Sequence, residues 1–161
     1  MIEFRSLLES LHRNDVAFVI IGGIAATLHG SARVTFDLDI VYERTPDNLV
    51  RLVAALTPFE PYLRGAPPGL PFRFDVETLK RGLNFTLTTS DGSIDLLGDV
   101  SGIGNYGVAR QHSDEAHLFG GTYYFLDLDA LIAAKKAAGR PKDFEAIAEL
   151  EAIREEREQS S

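Results

Sequence analysis

Two aspartates, Asp37 and Asp39, stand two residues apart in the stretch F-D-L-D-I at 36–40. On a strand, residues two apart project from the same face, so both carboxylates would lie side by side while Leu38 and Ile40 enter the core. Adjacent carboxylates repel one another unless a cation sits between them. A magnesium or manganese ion relieves that repulsion and also organises a polyphosphate. A D-x-D pattern can equally be the solvent face of an edge strand. Aspartate is nonetheless a poor strand former, and two in one pleat need a reason.

A third acid, Asp95, follows an Asp-Gly turn by a few residues and is flanked by apolar Ile94, Leu96 and Leu97. A lone acid in that setting lies beside the core, unlike Asp91 and Asp99, which read as turn or surface acids. Gly22 and Gly23 stand between an apolar run and a helical stretch. Backbone N–H groups at such a junction can face an anion, and glycine lets the backbone come close to it. The same pair also fits a tight turn with no ligand. Lys135, Lys136, Arg140 and Lys142 cluster near the end of another helical stretch, where cations are favoured in any case.

The elements around these residues follow from periodicity. Apolar residues at 2, 4, 7, 8 and 11 predict a helix over 2–13, and Val16 to Ile21 reads as a buried strand. A short helix follows the glycine pair and stops at Gly30. Leu38 to Tyr42 is a second strand, and Thr45-Pro46 opens a helix to about Leu56. Residues 58–72 hold five of the seven prolines and are expected to be largely loop. A short helix at 75–81 precedes a hairpin formed by 83–89 and 94–97 around Asp91-Gly92. Glycines 98, 102, 104 and 107 mark an irregular stretch, and 117–119 and 122–126 suggest two further short strands. Helical patterns occupy 127–138 and 142–158, separated by Gly139-Arg140-Pro141. The expectation is an α+β fold, a mixed sheet flanked by helices, in one domain over 1–161. Its core would span about 16–126 and a C-terminal helical part about 127–158.

The 161 residues are 45% hydrophobic and 25% charged, the balance of a globular domain. There is no cysteine, and His12, His29, His112 and His117 are too scattered for a zinc site. Any metal must therefore be held mainly by oxygen, which points to magnesium or manganese. A net charge of −8 argues against a broad nucleic-acid-coating face, though it leaves room for a local basic pocket. The opening MIEFRSLLES lacks a basic region ahead of an apolar run, and Val16 to Ala26 is too short to span a bilayer. A cytoplasmic protein without a membrane segment is expected.

At Gly22-Gly23, F-D-L-D-I and I-D-L-L (94–97) the chain resembles the DNA polymerase beta-like nucleotidyltransferase superfamily. The phrases R-x-T-x-D-L-D-I (33–40) and A-K-K-A-A-G-R-P-K-D (134–143) look like the small AbiEii-type and minimal nucleotidyltransferases. Many of those belong to toxin–antitoxin or abortive-infection systems. The resemblance runs from about Val16 to Ile153. One departure is Gly23, which stands where better-known branches carry serine. Backbone N–H groups or nearby Ser31 must then serve in place of that hydroxyl.

The resemblance implies a nucleotidyltransferase in which Asp37, Asp39 and Asp95 bind two Mg2+ or Mn2+ ions that bridge a nucleoside triphosphate. Asp95 also helps to deprotonate the attacking hydroxyl. It implies Gly22, Gly23, Ser31, Arg33, Lys135 and Arg140 as nucleotide or phosphate contacts, with Lys142 and Asp143 supporting them, Asp143 as a cap or as a partner of a nearby base. The acceptor is an RNA 3′ end (a tRNA end among them), a protein side chain or a small molecule, and an antitoxin is an implied protein partner. A catalytically silent nucleotide- or partner-binding protein on the same fold is the principal alternative. A metal-dependent hydrolase is a third reading, but it leaves the glycine turn unexplained.

Overall fold

The β-branched run ahead of the glycine pair forms strand β1 (Phe18–Ile21), with all four residues buried. The computed structural model describes residues 1–160. Helix α1 (Arg5–Arg13) precedes β1 and buries Leu7, Leu8 and Leu11, the stripe its helical spacing predicts. Gly22 begins α2 (Gly22–Leu28) directly at the strand end, and a loop leads to β2 (Asp37–Tyr42). In β2 the burial alternates through Asp37, Leu38, Asp39 and Ile40, so the two aspartates share the uncovered face.

Thr45 caps α3 (Pro46–Leu56), its side chain accepting from the Asn48 amide. Asn48 is fully buried and bonds the backbone of Ala17 and Glu43, which ties α3 to the ends of β1 and β2. The proline-rich segment is not all loop. It contains β3 (Tyr62–Leu63), a two-residue edge strand whose pairing Pro61 does not obstruct. Helix α4 (Val76–Arg81), capped by Asp75, leads into the predicted hairpin, β4 (Phe85–Thr89) and β5 (Gly92–Leu97).

The glycine-rich stretch is more regular than its composition suggests. It holds β6 (Asp99–Val100) and β7 (Gly104–Asn105), a small separate ribbon, and then α5 (Tyr106–Gln111), whose cap is the Asn105 side chain. β8 (Ser113–Leu118) begins four residues before the expected strand start at His117, and it pairs with β9 (Gly121–Leu126) along its whole length. Asp127 caps α6 (Leu128–Ala138), which ends at Gly139 in the left-handed conformation. Pro141 then opens a short 3-10 turn before α7 (Phe144–Ser160).

Seven strands make one mixed sheet in the order β3-β4-β5-β2-β1-β9-β8. β2 runs antiparallel to β1 and parallel to β5, and β1 runs parallel to β9. α1 packs on α3, and α6 packs on both α2 and α7. This is the α+β arrangement expected from the sequence. Among the described residues, no helix is long and apolar enough to cross a membrane.

Candidate functional site

Register assembles the acids. Asp39 of β2 stands opposite Asp95 of β5, and Asp37 stands opposite Ser93. Neighbouring strands lie ~4.8 Å apart, so partners across a ladder share one face. Carboxylate oxygens of Asp37, Asp39 and Asp95 all lie within 4.8 Å of one another. Their apolar neighbours Leu38, Ile40, Ile94 and Leu96 are fully buried on the other side of the sheet.

The β1–β2 pairing sets Ile21 opposite Asp39, so the chain turns into α2 directly beside that carboxylate. Gly22 has φ +63°, and a Cβ placed on it would lie 2.1 Å from Asp39 Oδ2. Any other residue would be both strained and in collision there. A Cβ on Gly23 would lie 2.8 Å from Thr35 Oγ1. The space that a serine side chain would fill is thus taken by Thr35, whose own hydroxyl stands over the glycine.

The loop at 31–36 reaches this position because α7 holds it. Ser31 Oγ donates to Glu149 Oε1 at 2.5 Å, the Ala32 amide donates to the same carboxylate at 3.2 Å, and Arg33 pairs with Glu145 at 3.6 Å. Ser31 is therefore a loop anchor, and the hydroxyl beside Gly23 comes from Thr35.

A cavity of about 360 Å³ opens between this loop and the start of α7. Its walls include Gly23, Ser31, Arg33, Thr35, Asp37 and Asp39 on one side and Lys135, Arg140, Lys142 and Asp143 on the other. Val34 and Phe36, 77% and 80% exposed, stand at its rim. A second cavity of about 270 Å³ meets the first at Asp39, Lys135 and Arg140, and its walls add Gly22, Asp95 and Ser101. Arg140 Nε donates to Asp143 Oδ2 at 2.7 Å, with Asp143 itself 7% exposed. Asp143 thus acts as the partner that orients Arg140. Lys136 turns away to Glu151 at 3.3 Å. His29 is buried, its Nε2 bonding the Leu126 carbonyl, and takes no part.

Arg64, from the proline-rich segment, completes the electrostatics. One guanidinium nitrogen comes within 2.7 Å of Asp95 Oδ1 and the other within 3.9 Å of Asp37 Oδ2. The nitrogen near Asp95 also donates to the Leu87 carbonyl at 2.7 Å. Asp95 Oδ1 is thus charge-paired yet accepts no hydrogen bond. Asp39 Oδ1 is likewise buried without a partner. Burial first, and the neighbouring Asp95 second, push the Asp39 carboxyl up from 3.8 to about 7.

These features fit a hard divalent cation. The donors are all oxygen, two of them lack hydrogen-bond partners, and one carboxyl is reluctant to ionise without added positive charge. Magnesium or manganese suits that set, which contains neither thiolate nor imidazole.

No protein-family model matches the chain, and no curated protein matches it either. Among solved structures it resembles the "putative nucleotidyltransferase" of Thermotoga maritima with a TM-score of 0.59 at 14% sequence identity. The likeness covers 91% of this chain and 88% of that one. At that identity the likeness establishes a shared fold, and the fold is the nucleotidyltransferase fold.

Proposed function

We propose that the protein is a metal-dependent nucleotidyltransferase that moves a nucleoside monophosphate from a nucleoside triphosphate to a hydroxyl. The observation that carries this reading is the convergence of Asp37, Asp39 and Asp95 on one point beside Gly22, facing Lys135 and Arg140. Acids alone would suit many hydrolases. Acids opposite a basic wall suit a ligand that is itself a polyphosphate.

In this reading Asp37, Asp39 and Asp95 hold Mg2+ or Mn2+, which supplies positive charge to the triphosphate. Lys135 and Arg140 meet the remaining phosphate charge, and Asp143 keeps Arg140 in its orientation. Lys142 and Arg33 add charge at the cavity wall. Gly22 and Gly23 let the backbone approach the ligand, and the Thr35 hydroxyl reaches where a serine at 23 would place its own. Ser31 serves indirectly, by holding the loop to Glu149. Phe36 at the rim offers a face on which a nucleobase can stack.

The acceptor oxygen attacks the α-phosphorus, its proton passes to Asp95, and the bond to the β-phosphate breaks with release of pyrophosphate. Catalysis then rests mainly on positioning and charge neutralisation.

Membership of the AbiEii-type branch is supported by the R-x-T-x-D-L-D-I and A-K-K-A-A-G-R-P-K-D phrases. That branch would make the protein a toxin with an antitoxin partner, acting in the cytoplasm on an RNA end such as that of a tRNA. The acidic net charge restricts any RNA contact to a local pocket.

Each of the four α-labelled triphosphates, incubated with protein, Mn2+ and cell-derived RNA or protein, tests the activity. Label on the acceptor with matching pyrophosphate, both lost in Asp37→Asn, supports transfer. Tight nucleotide binding with no turnover under any of these conditions would favour the catalytically silent alternative.

A further inference from the structure

Arg64 owes its position to the sheet. The last pair of β3 and β4 is Leu63 with Leu87, and the Arg64 amide extends the ladder by donating to the Thr86 carbonyl at 3.0 Å. Thr86 pairs with Asp95, and Asp95 pairs with Asp39. Thr86, Asp95 and Asp39 therefore form one row across β4, β5 and β2, and Arg64, just past the end of β3, extends it on the same face. A long side chain at the outer end of that row crosses the short threonine and ends at the acids.

The backbone after Arg64 is tied down as well. The Ala66 amide donates to the Leu63 carbonyl, and the Leu70 amide donates to the Tyr62 hydroxyl. The Leu87 carbonyl fixes the guanidinium itself, which is 28% exposed and spans Asp95 and Asp37.

We propose that Arg64 is a resident cation of the acid cluster, filling the position between Asp37 and Asp95 that a second divalent ion would otherwise take. The nucleotide-free protein then holds one divalent ion, on the Asp37–Asp39 side, where Arg64 reaches Asp37 only at 3.9 Å and, among the described residues, no basic group lies within salt-bridge distance of Asp39. A guanidinium is a planar cation with no lone pair to offer a metal, so it sets its charge beside Asp95 without coordinating anything. Arg64 acts here as a positioning residue, setting how many ions the three carboxylates accept. The inference rests on the metal-binding role proposed for these aspartates.

The test is a titration of nucleotide-free protein with Mn2+ alone, free ion being read from its paramagnetic resonance signal. Wild type is expected to take up one Mn2+ per chain. Arg64→Gln, which keeps a donor for the Leu87 carbonyl, is expected to take up two. Arg64→Lys, which keeps the charge, is expected to return to one. Two ions on wild type would overturn this assignment and leave the proposed function standing. One ion on Arg64→Gln with an unchanged circular dichroism spectrum would also overturn it. No ion on any of the three proteins would overturn both this assignment and the metal reading of the site. A wild-type count of two overturns the assignment even if a variant fails to fold.

Discussion

Gly22 and Asp39 touch so closely that a single added carbon would separate them, with a Cβ at Gly22 falling 2.1 Å from Asp39 Oδ2. The contact follows from the pairing of Ile21 with Asp39, which brings the first residue of α2 against the carboxylate. Gly22→Ala should cost about 1–3 kcal/mol, since it adds a left-handed alanine and a collision. It should also shift Asp39 and abolish Mn2+ uptake. Thermal unfolding and a Mn2+ titration measure the two effects. Unaltered Mn2+ uptake would contradict the placement of Asp39 in the metal site.

The raised Asp39 carboxyl makes the metal-free protein sensitive to pH. Its folded value is about 7 against an ordinary 3.8, so the folded state binds a proton that the unfolded state has already lost. Stability from this group is full below the ordinary value and declines as pH rises through the folded one. In chelator, wild type should lose melting temperature relative to Asp39→Asn between about pH 4 and about pH 7 and then level off. Saturating Mg2+ should restore wild type alone. Apparent metal affinity should rise up to roughly tenfold per pH unit until about pH 7 and then level off.

Lys135 and Arg140 should affect triphosphate binding more than monophosphate binding. Each charge-assisted contact is worth about 1.5–3 kcal/mol, so Lys135→Ala should weaken triphosphate affinity roughly 10- to 100-fold. Asp143→Asn should weaken it less, because Arg140 remains but loses its orienting partner at 2.7 Å. Isothermal calorimetry with both ligands separates the effects. Equal losses for monophosphate and triphosphate would contradict the assignment.

Thr35 and Gly23 should behave as a coupled pair. A Cβ at residue 23 would fall 2.8 Å from Thr35 Oγ1 and 2.9 Å from its methyl carbon. Gly23→Ser alone should therefore destabilise the protein by about 1–3 kcal/mol, the usual cost of overpacking. Combined with Thr35→Ala, which vacates that space, it should recover most of the loss. A double-mutant cycle measures the coupling, and simple additivity would contradict it.

Much of this site was legible because it is written in local patterns. Asp37 and Asp39 share a face by strand periodicity alone, and Asp95 was marked by the apolar residues beside it. The Asp-Gly turn gave the hairpin, and the order of elements gave the mixed sheet. Arg64 was not legible. Its place depends on pairing between an edge strand and a hairpin more than twenty residues away, and the prolines around it signal loop. Ser31 and Thr35 exchanged parts for a similar reason. The loop has no periodicity, and its course is set by Glu149 and Glu145, more than a hundred residues downstream. α5 carries little local signal, because glycines dominate its approach and its one marker, the Asn105 cap, is a single residue.

The most direct test of the account is a calorimetric titration of the four nucleoside triphosphates, with and without Mg2+, into wild type and Asp39→Ala. Wild type is expected to bind at least one triphosphate in a Mg2+-dependent way and the variant none, with both proteins folded. Undiminished binding to Asp39→Ala, or no binding of any triphosphate to folded wild type, would contradict it.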